Sequence, residues 1–249
     1  MSIPRYAGEV PYLTTEQMIE VDRAMMEDYH IELVQMMENA GRNLAHLARD
    51  RFLEGDPAGK PVVVLAGAGG NGGGALVAAR RLHNWGARVQ IVLAPPVDRL
   101  TPVPARQLDI LTQMRIPVLA AEEIVTLTTP ALVLDGLIGY SLRGAPRGAA
   151  AELIRWANGQ RAPILSLDVP SGIDTGTGTV YEPAIRATAT MTLALPKRGL
   201  GLPGAEALVG ELYLADISVP PELYASPALN VSVGPIFGRA DVIRLRSRG

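Results

Sequence analysis

The chain contains no cysteine among its 249 residues, and that absence excludes several chemistries at once. There is no disulfide framework, no thiolate zinc site and no cysteine nucleophile. Histidine is nearly as scarce: His30, His46 and His83 are scattered and leave little for a histidine-based metal cluster. Net charge is small, −2 from 23 basic and 25 acidic side chains, which argues against a broadly basic nucleic-acid binder. Long apolar runs are missing too, so no stretch reads as a bilayer span. The opening MSIPRYAGEVPYL lacks a charged region followed by an apolar run and does not read as a signal peptide. A soluble, cytoplasmic protein is the expectation. Hydrophobic residues make up 48% against 19% charged, which excludes disorder driven by charge. Neither a fixed-period repeat nor a convincing linker divides the chain. The expectation is a single domain over 1–249, with a helical extension over 1–55 packed on a core over 60–220.

The first fifty residues read as helix. Thr14 and Thr15 precede a run from Glu16 to about Glu27, and Gln17 stands three residues after Thr14, as in a capping box. A second run spans about Ile31 to Phe52, with Leu33, Met37, Ala40, Leu44, Leu47 and Ala48 on one face. Beside that stripe Glu38, Asn39 and Arg42 either form a solvated flank or edge a site. From residue 60 short apolar runs alternate with helical stretches. Strands are expected at Val62–Ala66, Arg88–Leu93, Pro117–Ala120, Ala131–Leu134 and Pro163–Leu167. Helices are expected at Leu76–Trp85, Pro104–Met114, Ala121–Thr126 and Ala149–Asn158. Such alternation implies right-handed crossovers and a mostly parallel sheet covered on both sides. Thr190–Leu195 and Glu211–Ile217 read as further strands, at the sheet edge.

Ligands of such sheets bind beyond the carboxyl ends of the strands, so the segments that follow each strand matter most. After the first strand comes Gly67-Ala68-Gly69-Gly70-Asn71-Gly72-Gly73-Gly74, six glycines in eight positions. This backbone can approach a ligand closely, and amides at the following helix start favour a phosphate. Gly67, Gly69 and Gly72 satisfy G-x-G-x-x-G, a weak pattern alone. No acid ends the second strand, and G-K-[ST] is absent, which excludes a P-loop. The second segment, Asp135-Gly136-Leu137-Ile138-Gly139-Tyr140-Ser141, places a carboxylate at a strand end, either as a turn cap or as a functional group. The third, Asp168-Val169-Pro170-Ser171-Gly172-Ile173-Asp174, holds Asp168 and Ser171 on a backbone stiffened by Pro170. G-x-S-x-G is missing, so a serine-hydrolase elbow is unsupported. Two strand-end acids, a serine hydroxyl and the Asn71 amide form a set of hard oxygen donors, suited to a hard cation.

Five segments in order resemble the YjeF N-terminal domain family, the NAD(P)H-hydrate epimerases. They are MENAGR at 37–42, GAGGNGGGALVAAR at 67–80, DGLIGYS at 135–141, DVPSGID at 168–174 and PKRGL at 196–200. The resemblance runs from about residue 12 to residue 220. It implies a Rossmann-like three-layer sandwich, a homodimer, and interconversion of the R and S forms of NADHX and NADPHX. It also implies a potassium ion held by Asn71, Asp135 and Ser171. Substrate would lie against Gly70, Asn71, Gly72, Gly73, Gly74, Gly139, Tyr140, Ser141, Leu142, Arg143, Gly144, Ala145 and Asp168. Asp168 would be the catalytic carboxylate, with Asp174 a weaker candidate, while Lys197 reads either as solvated or as a phosphate contact, the solvated reading ahead. The sequence departs from the family at N-N-G-G-D, here GNGGG, and at G-T-G, here Gly139-Tyr140-Ser141. The competing reading is a domain whose site has decayed or been retuned into a nucleotide-binding or dimerisation module. ADVIRLRSRG at the end resembles the junction to a dehydratase domain, so a separate dehydratase would be the functional partner; it also reads as a frayed basic tail.

Overall fold

The computed structural model of the chain describes residues 3–127 and 129–246. Two helices lead: α1 (Thr15–Glu27) and α2 (Leu33–Leu47), the second prolonged by one π-turn over Ala48–Phe52. The expected capping box opens α1, with Gln17 N donating to Thr14 Oγ1 at 3.1 Å and Thr14 N donating to Gln17 Oε1 at 2.9 Å. The alternating part runs β1 (Pro61–Ala66), α3 (Gly70–Asn84), β2 (Arg88–Leu93), α4 (Pro102–Gln113), β3 (Val118–Ala120), β4 (Leu132–Gly136), α5 (Gly148–Asn158) and β5 (Ile164–Leu167). It continues through β6 (Ala189–Leu193), the short α6 (Glu206–Val209), β7 (Glu211–Ala215), α7 (Pro221–Tyr224) and β8 (Val242–Arg244).

All strands join one sheet in the order β3-β2-β1-β4-β5-β6-β7-β8, parallel throughout except for antiparallel β8. The result is a Rossmann-like three-layer sandwich. Because β1 is buried on both faces, its apolar run is continuous rather than alternating. Val62, Val64 and Ala66 pack with Leu76, Leu108 and Leu44 from α3, α4 and α2. Val63 and Leu65 pack on the opposite face with Leu153 and Ile154 from α5. A further cluster ties Val21 and Met25 of α1 to Leu214, Ile217, Leu223, Tyr224 and Ile243 at the far end of the chain. The segment before α1 is also stitched to the loop after β6, through Leu13 N to Pro196 O and Arg198 N to Leu13 O, both 2.8 Å. Among the described residues no helix is long and apolar enough to cross a membrane.

Three expectations are corrected. First, β6 and β7 lie inside the sheet, not at its edge; β8 is the edge strand on that side and β3 on the other. Second, the stretch read either as a domain junction or as a frayed tail supplies β8, where Ile243 is buried against the α1 cluster; only 247–249 of that tail lie outside the described residues. Third, α3 begins at Gly70, not Leu76, so most of the glycine run is helix rather than loop. Glycine is a poor helix former, and packing overrides that preference here. A Cβ on Gly72 would lie 2.0 Å from Gly67 O, and one on Gly73 would lie 2.4 Å from Met37 Sδ.

Helices α2 and α3 cross closely at Gly41. There a Cβ on Gly41 would stand 2.4 Å from Val77 Cβ and 2.5 Å from Gly74 O. Gly41→Ala is expected to cost about 1–3 kcal/mol by overpacking, despite alanine's better helix propensity. Gly234, with open space around its Cβ direction, is the control: Gly234→Ala should stay within about 0.5 kcal/mol. Urea denaturation midpoints of the two variants check the contrast.

Candidate active site

Strand order reverses between β1 and β4, and a crevice opens there at the carboxyl ends of the strands. A cavity of about 850 Å³ occupies it. Its floor is made of strand exits: Gly67–Asn71 after β1, Leu137–Ser141 after β4, Asp168 after β5, Leu193 at the end of β6 and Lys197 beyond it. Met18, Ile19, Asp22 and Met26 of α1 form one wall, with Met36, Met37 and Ala40 of α2 beside them. At the β1 exit the first intrahelical bond of α3 is Gly73 N to Gly69 O, 3.0 Å. The preceding amides of that turn have no partner within the helix, and Gly70 is exposed at the cavity. They form the kind of N-terminal cradle that accepts an anion.

Asp135 is the penultimate residue of β4 and is completely buried. Four donors surround its carboxylate: Ser171 Oγ at 2.6 Å and Leu137 N at 3.2 Å on Oδ1, Ser166 Oγ at 2.8 Å and Ser171 N at 3.0 Å on Oδ2. Burial pushes its carboxyl above the usual range, against the pull of the bonds from Ser171 and Ser166. Ser171 Oγ in turn accepts from Ile138 N at 2.9 Å. Asn71 joins from the third exit, its Nδ2 donating to Leu167 O at 2.7 Å. Its Oδ1 accepts no hydrogen bond among the described residues and lies where a Cβ on Gly139 would stand, 2.7 Å away. Asn71, Asp135 and Ser171 are therefore neighbours around the exits of β1, β4 and β5.

Asp168 holds a left-handed backbone, φ +66°, a strained conformation that residues other than glycine adopt mainly where surroundings enforce it. Its Oδ1 accepts from Thr192 Oγ1 at 3.3 Å and Leu193 N at 3.2 Å, and from the ammonium of Lys197. Lys197 is fully buried and also donates to Leu193 O at 3.0 Å. The solvated reading of Lys197 is thus overturned: the side chain lies under the cavity, paired to a carboxylate. Asp168 Oδ2 takes no hydrogen bond among the described residues.

The remaining sequence candidates separate. Gly139, Tyr140 and Ser141 line the cavity with Gly70 and Asn71. Gly72, Gly73 and Gly74 do not; they are buried in packing contacts, and a Cβ on Gly74 would meet Leu167 Cδ2 at 2.8 Å. Leu142, Arg143, Gly144 and Ala145 continue the rim loop outside the wall, which Arg147, Ala149 and Ala150 complete instead. Asp174 faces its own turn, accepting from Gly176 N at 2.9 Å and Thr177 N at 2.8 Å, and is no part of the cavity. Of the MENAGR group, Glu38 pairs with Arg80 at 2.7 Å and Arg42 with Asp241 at 2.7 Å, so these are structural ties. One residue escaped the sequence reading: Asp22, whose carboxylate accepts a short hydrogen bond from Tyr140 Oη. Burial raises the Asp22 carboxyl above its ordinary range and lifts the Tyr140 hydroxyl as well. The signal was present, since Asp22 stands between Met18 and Met25 on the apolar stripe of α1.

Comparison with known proteins agrees with this architecture. The family described as YjeF-related protein N-terminus matches residues 33–199. A Dehalogenimonas lykanthroporepellens protein named NAD(P)H-hydrate epimerase is 46% identical over 222 residues, 87% of this chain and 86% of that one. A Rhodopirellula baltica protein of the same name is 34% identical, covering 86% and 87%. The bifunctional NAD(P)H-hydrate repair enzyme Nnr of Salinibacter ruber is 37% identical over 85% of this chain, which spans 41% of that longer protein. Among solved structures, yeast YNL200c superposes with a TM-score of 0.80 at 23% identity, over 95% of this chain and all of that one, a likeness of fold. The chain belongs to the YjeF-related protein N-terminus family.

Proposed function

We propose that the chain is an NAD(P)H-hydrate epimerase that interconverts the R and S forms of NADHX and NADPHX. Support comes from the relatives of that name, one of them 46% identical over most of both chains. The observation in the structure that carries it is Asp168: a strained, ion-paired carboxylate with one free oxygen in a cavity large enough for a nucleotide. The helix start at Gly70 is suited to the pyrophosphate. The hydrated ring carries a hydroxyl next to its ring nitrogen. Once an acid or solvent protonates that hydroxyl, the nitrogen lone pair expels it as water, leaving a planar iminium that water can attack from either face. Asp168 Oδ2 stabilises the cation and takes a proton from the incoming water. The reading of a decayed site loses its main support, because the departure at Gly74 lies in a packing contact off the cavity wall.

A potassium ion belongs to the same proposal, held by Asn71, Asp135 and Ser171. The donor chemistry fits: Asn71 Oδ1 is unengaged, Ser171 Oγ keeps a lone pair, and buried Asp135 supplies negative charge from behind. When bound, the ion would fasten strand exits together rather than act on the substrate. We also propose a homodimer, a cytoplasmic setting, and cooperation with an NAD(P)H-hydrate dehydratase, the last supported by the bifunctional naming of longer relatives.

Incubation with one pure epimer of NADHX should yield the other well above the buffer-only rate, followed by chromatography; no conversion would refute the assignment. Asp168→Asn is expected to lower turnover at least about 100-fold. It also strands the buried Lys197 ammonium, costing about 3–5 kcal/mol in urea melts. Adding Lys197→Met should restore stability without restoring turnover, which separates the chemical role of Asp168 from its structural one. Replacing potassium by choline should slow the wild type about tenfold or more, while Asn71→Leu should be slow in both salts; equal wild-type rates would exclude the ion.

A further inference from the structure

An epimerase of this kind must handle protons on both faces of a planar intermediate. Asp168 serves the floor of the cavity, where the strands end. A second free carboxylate oxygen faces the same cavity from the helical wall. Asp22 is half-buried on α1 and uses Oδ2 to accept from Tyr140 Oη, while Oδ1 is unengaged among the described residues. Two carboxylates on different walls, each tied down by one oxygen and free at the other, match a reaction whose hydroxyl leaves one face and returns on the other.

Resting on the epimerase reading, we propose that Asp22 is the second catalytic residue, exchanging protons with the substrate on the face opposite to Asp168. In one direction the carboxyl of Asp22 gives its proton to the leaving hydroxyl as the C–O bond breaks and water departs. A new water then forms a C–O bond on the opposite face and yields its proton to Asp168. One proton has passed from Asp22 to Asp168, one water has left and one has entered, and the reverse reaction runs the same steps backwards. The two environments suit this asymmetry. Asp168 is paired to the buried ammonium of Lys197, whereas Asp22 has only a neutral phenol and is pushed towards its protonated form by burial. The groups acting on Asp22 are Tyr140 after β4, Asp168 after β5 and Lys197 after β6, and Asp22 in turn acts on Tyr224 of α7. Arg23 and Glu27 of α1, and Arg147 before α5, also line the cavity. Arg23 is occupied by Glu20, Glu27 and Asp28.

The sign of the pH dependence follows from a pair that works while holding one proton. Loss of that proton at high pH stops both directions in parallel, since their ratio is fixed by equilibrium. The test uses the full chain in potassium buffer with each pure NADHX epimer. Asp22→Asn should lower kcat at least about 100-fold in both directions, leave KM within about threefold, and abolish the high-pH limb of kcat/KM. Asp22→Glu should retain a high-pH limb. Tyr140→Phe removes a hydrogen bond that favours the ionised form and should move the limb to higher pH. An Asp22→Asn variant that turns over within threefold of wild type with the limb intact overturns the role of Asp22 and leaves the epimerase reading standing. A wild type that converts neither epimer overturns both. Should Asp22→Asn not fold, the Tyr140→Phe shift decides: an unmoved limb counts against the proposal.

Discussion

The carboxylate of Asp135, sealed from solvent and surrounded by four donors, fixes the geometry on which the cavity depends. Its donors come from its own turn, from β5 and from the loop beyond β5, so a single side chain sets the relative positions of two strand exits. Asn71 adds the third exit through Leu167 O. Adjacent parallel strands lie about 4.8 Å apart, and these bonds extend that regular spacing into segments that would otherwise be free loops. A buried acid is costly unless its hydrogen-bonding capacity is filled, and here every acceptor position is used. The same saturation leaves Asp135 to act through its charge and its hold on the neighbouring loops rather than by proton transfer.

What the anchored exits support is less comfortable. Asp168 sits at positive φ, and so do Ala194 after β6 and Ser218 after β7. Two successive strands therefore leave the sheet directly through a left-handed residue that is not glycine, and the turn after β7 holds a third, each at a cost of about 1–3 kcal/mol. Beside the first of them lies a buried lysine whose charge is balanced mainly by Asp168. Buried ion pairs are weak contributors to stability, so stability alone does not account for this one. It does account for a carboxylate presented to the cavity with one oxygen bound and the other free. Rigidity comes from the Asp135 node, and strain is concentrated at Asp168, the carboxylate proposed to move the proton.

Much of this was legible in the residues. Alternating apolar runs of two lengths gave the layered parallel sheet, and the glycine run, Asp135, Asp168 and Ser171 fell at strand exits where the architecture places ligands. The misreadings have physical causes. Helix α3 starts early because its glycines fill a helix–helix and helix–strand contact, a tertiary effect that local propensity does not encode. Three-residue β8 is too short to show a period and exists because β7 offers it an edge. Lys197, between Pro196 and Arg198, carries no local mark of burial; its backbone pairs with distant Leu13 and its ammonium with Asp168. Asp22 was visible as an acid on an apolar stripe, yet its partner Tyr140 lies 118 residues away.

These cases bear on how departures from a family pattern should be weighed. Gly74 and Tyr140 both depart from it, and by chemistry the loss of a carboxylate at 74 looks graver than a ring at 140. Geometry reverses the order. Position 74 faces Leu167 and Ala40 inside the sandwich, so its side chain has no line to a ligand. Position 140 lines the cavity and reaches across it to α1, where its hydroxyl engages Asp22. A change at the first position alters how tightly α3 packs on β5. A change at the second alters the lining of the cavity itself and the hydrogen bond that holds Asp22, the carboxylate proposed to share the proton transfer with Asp168.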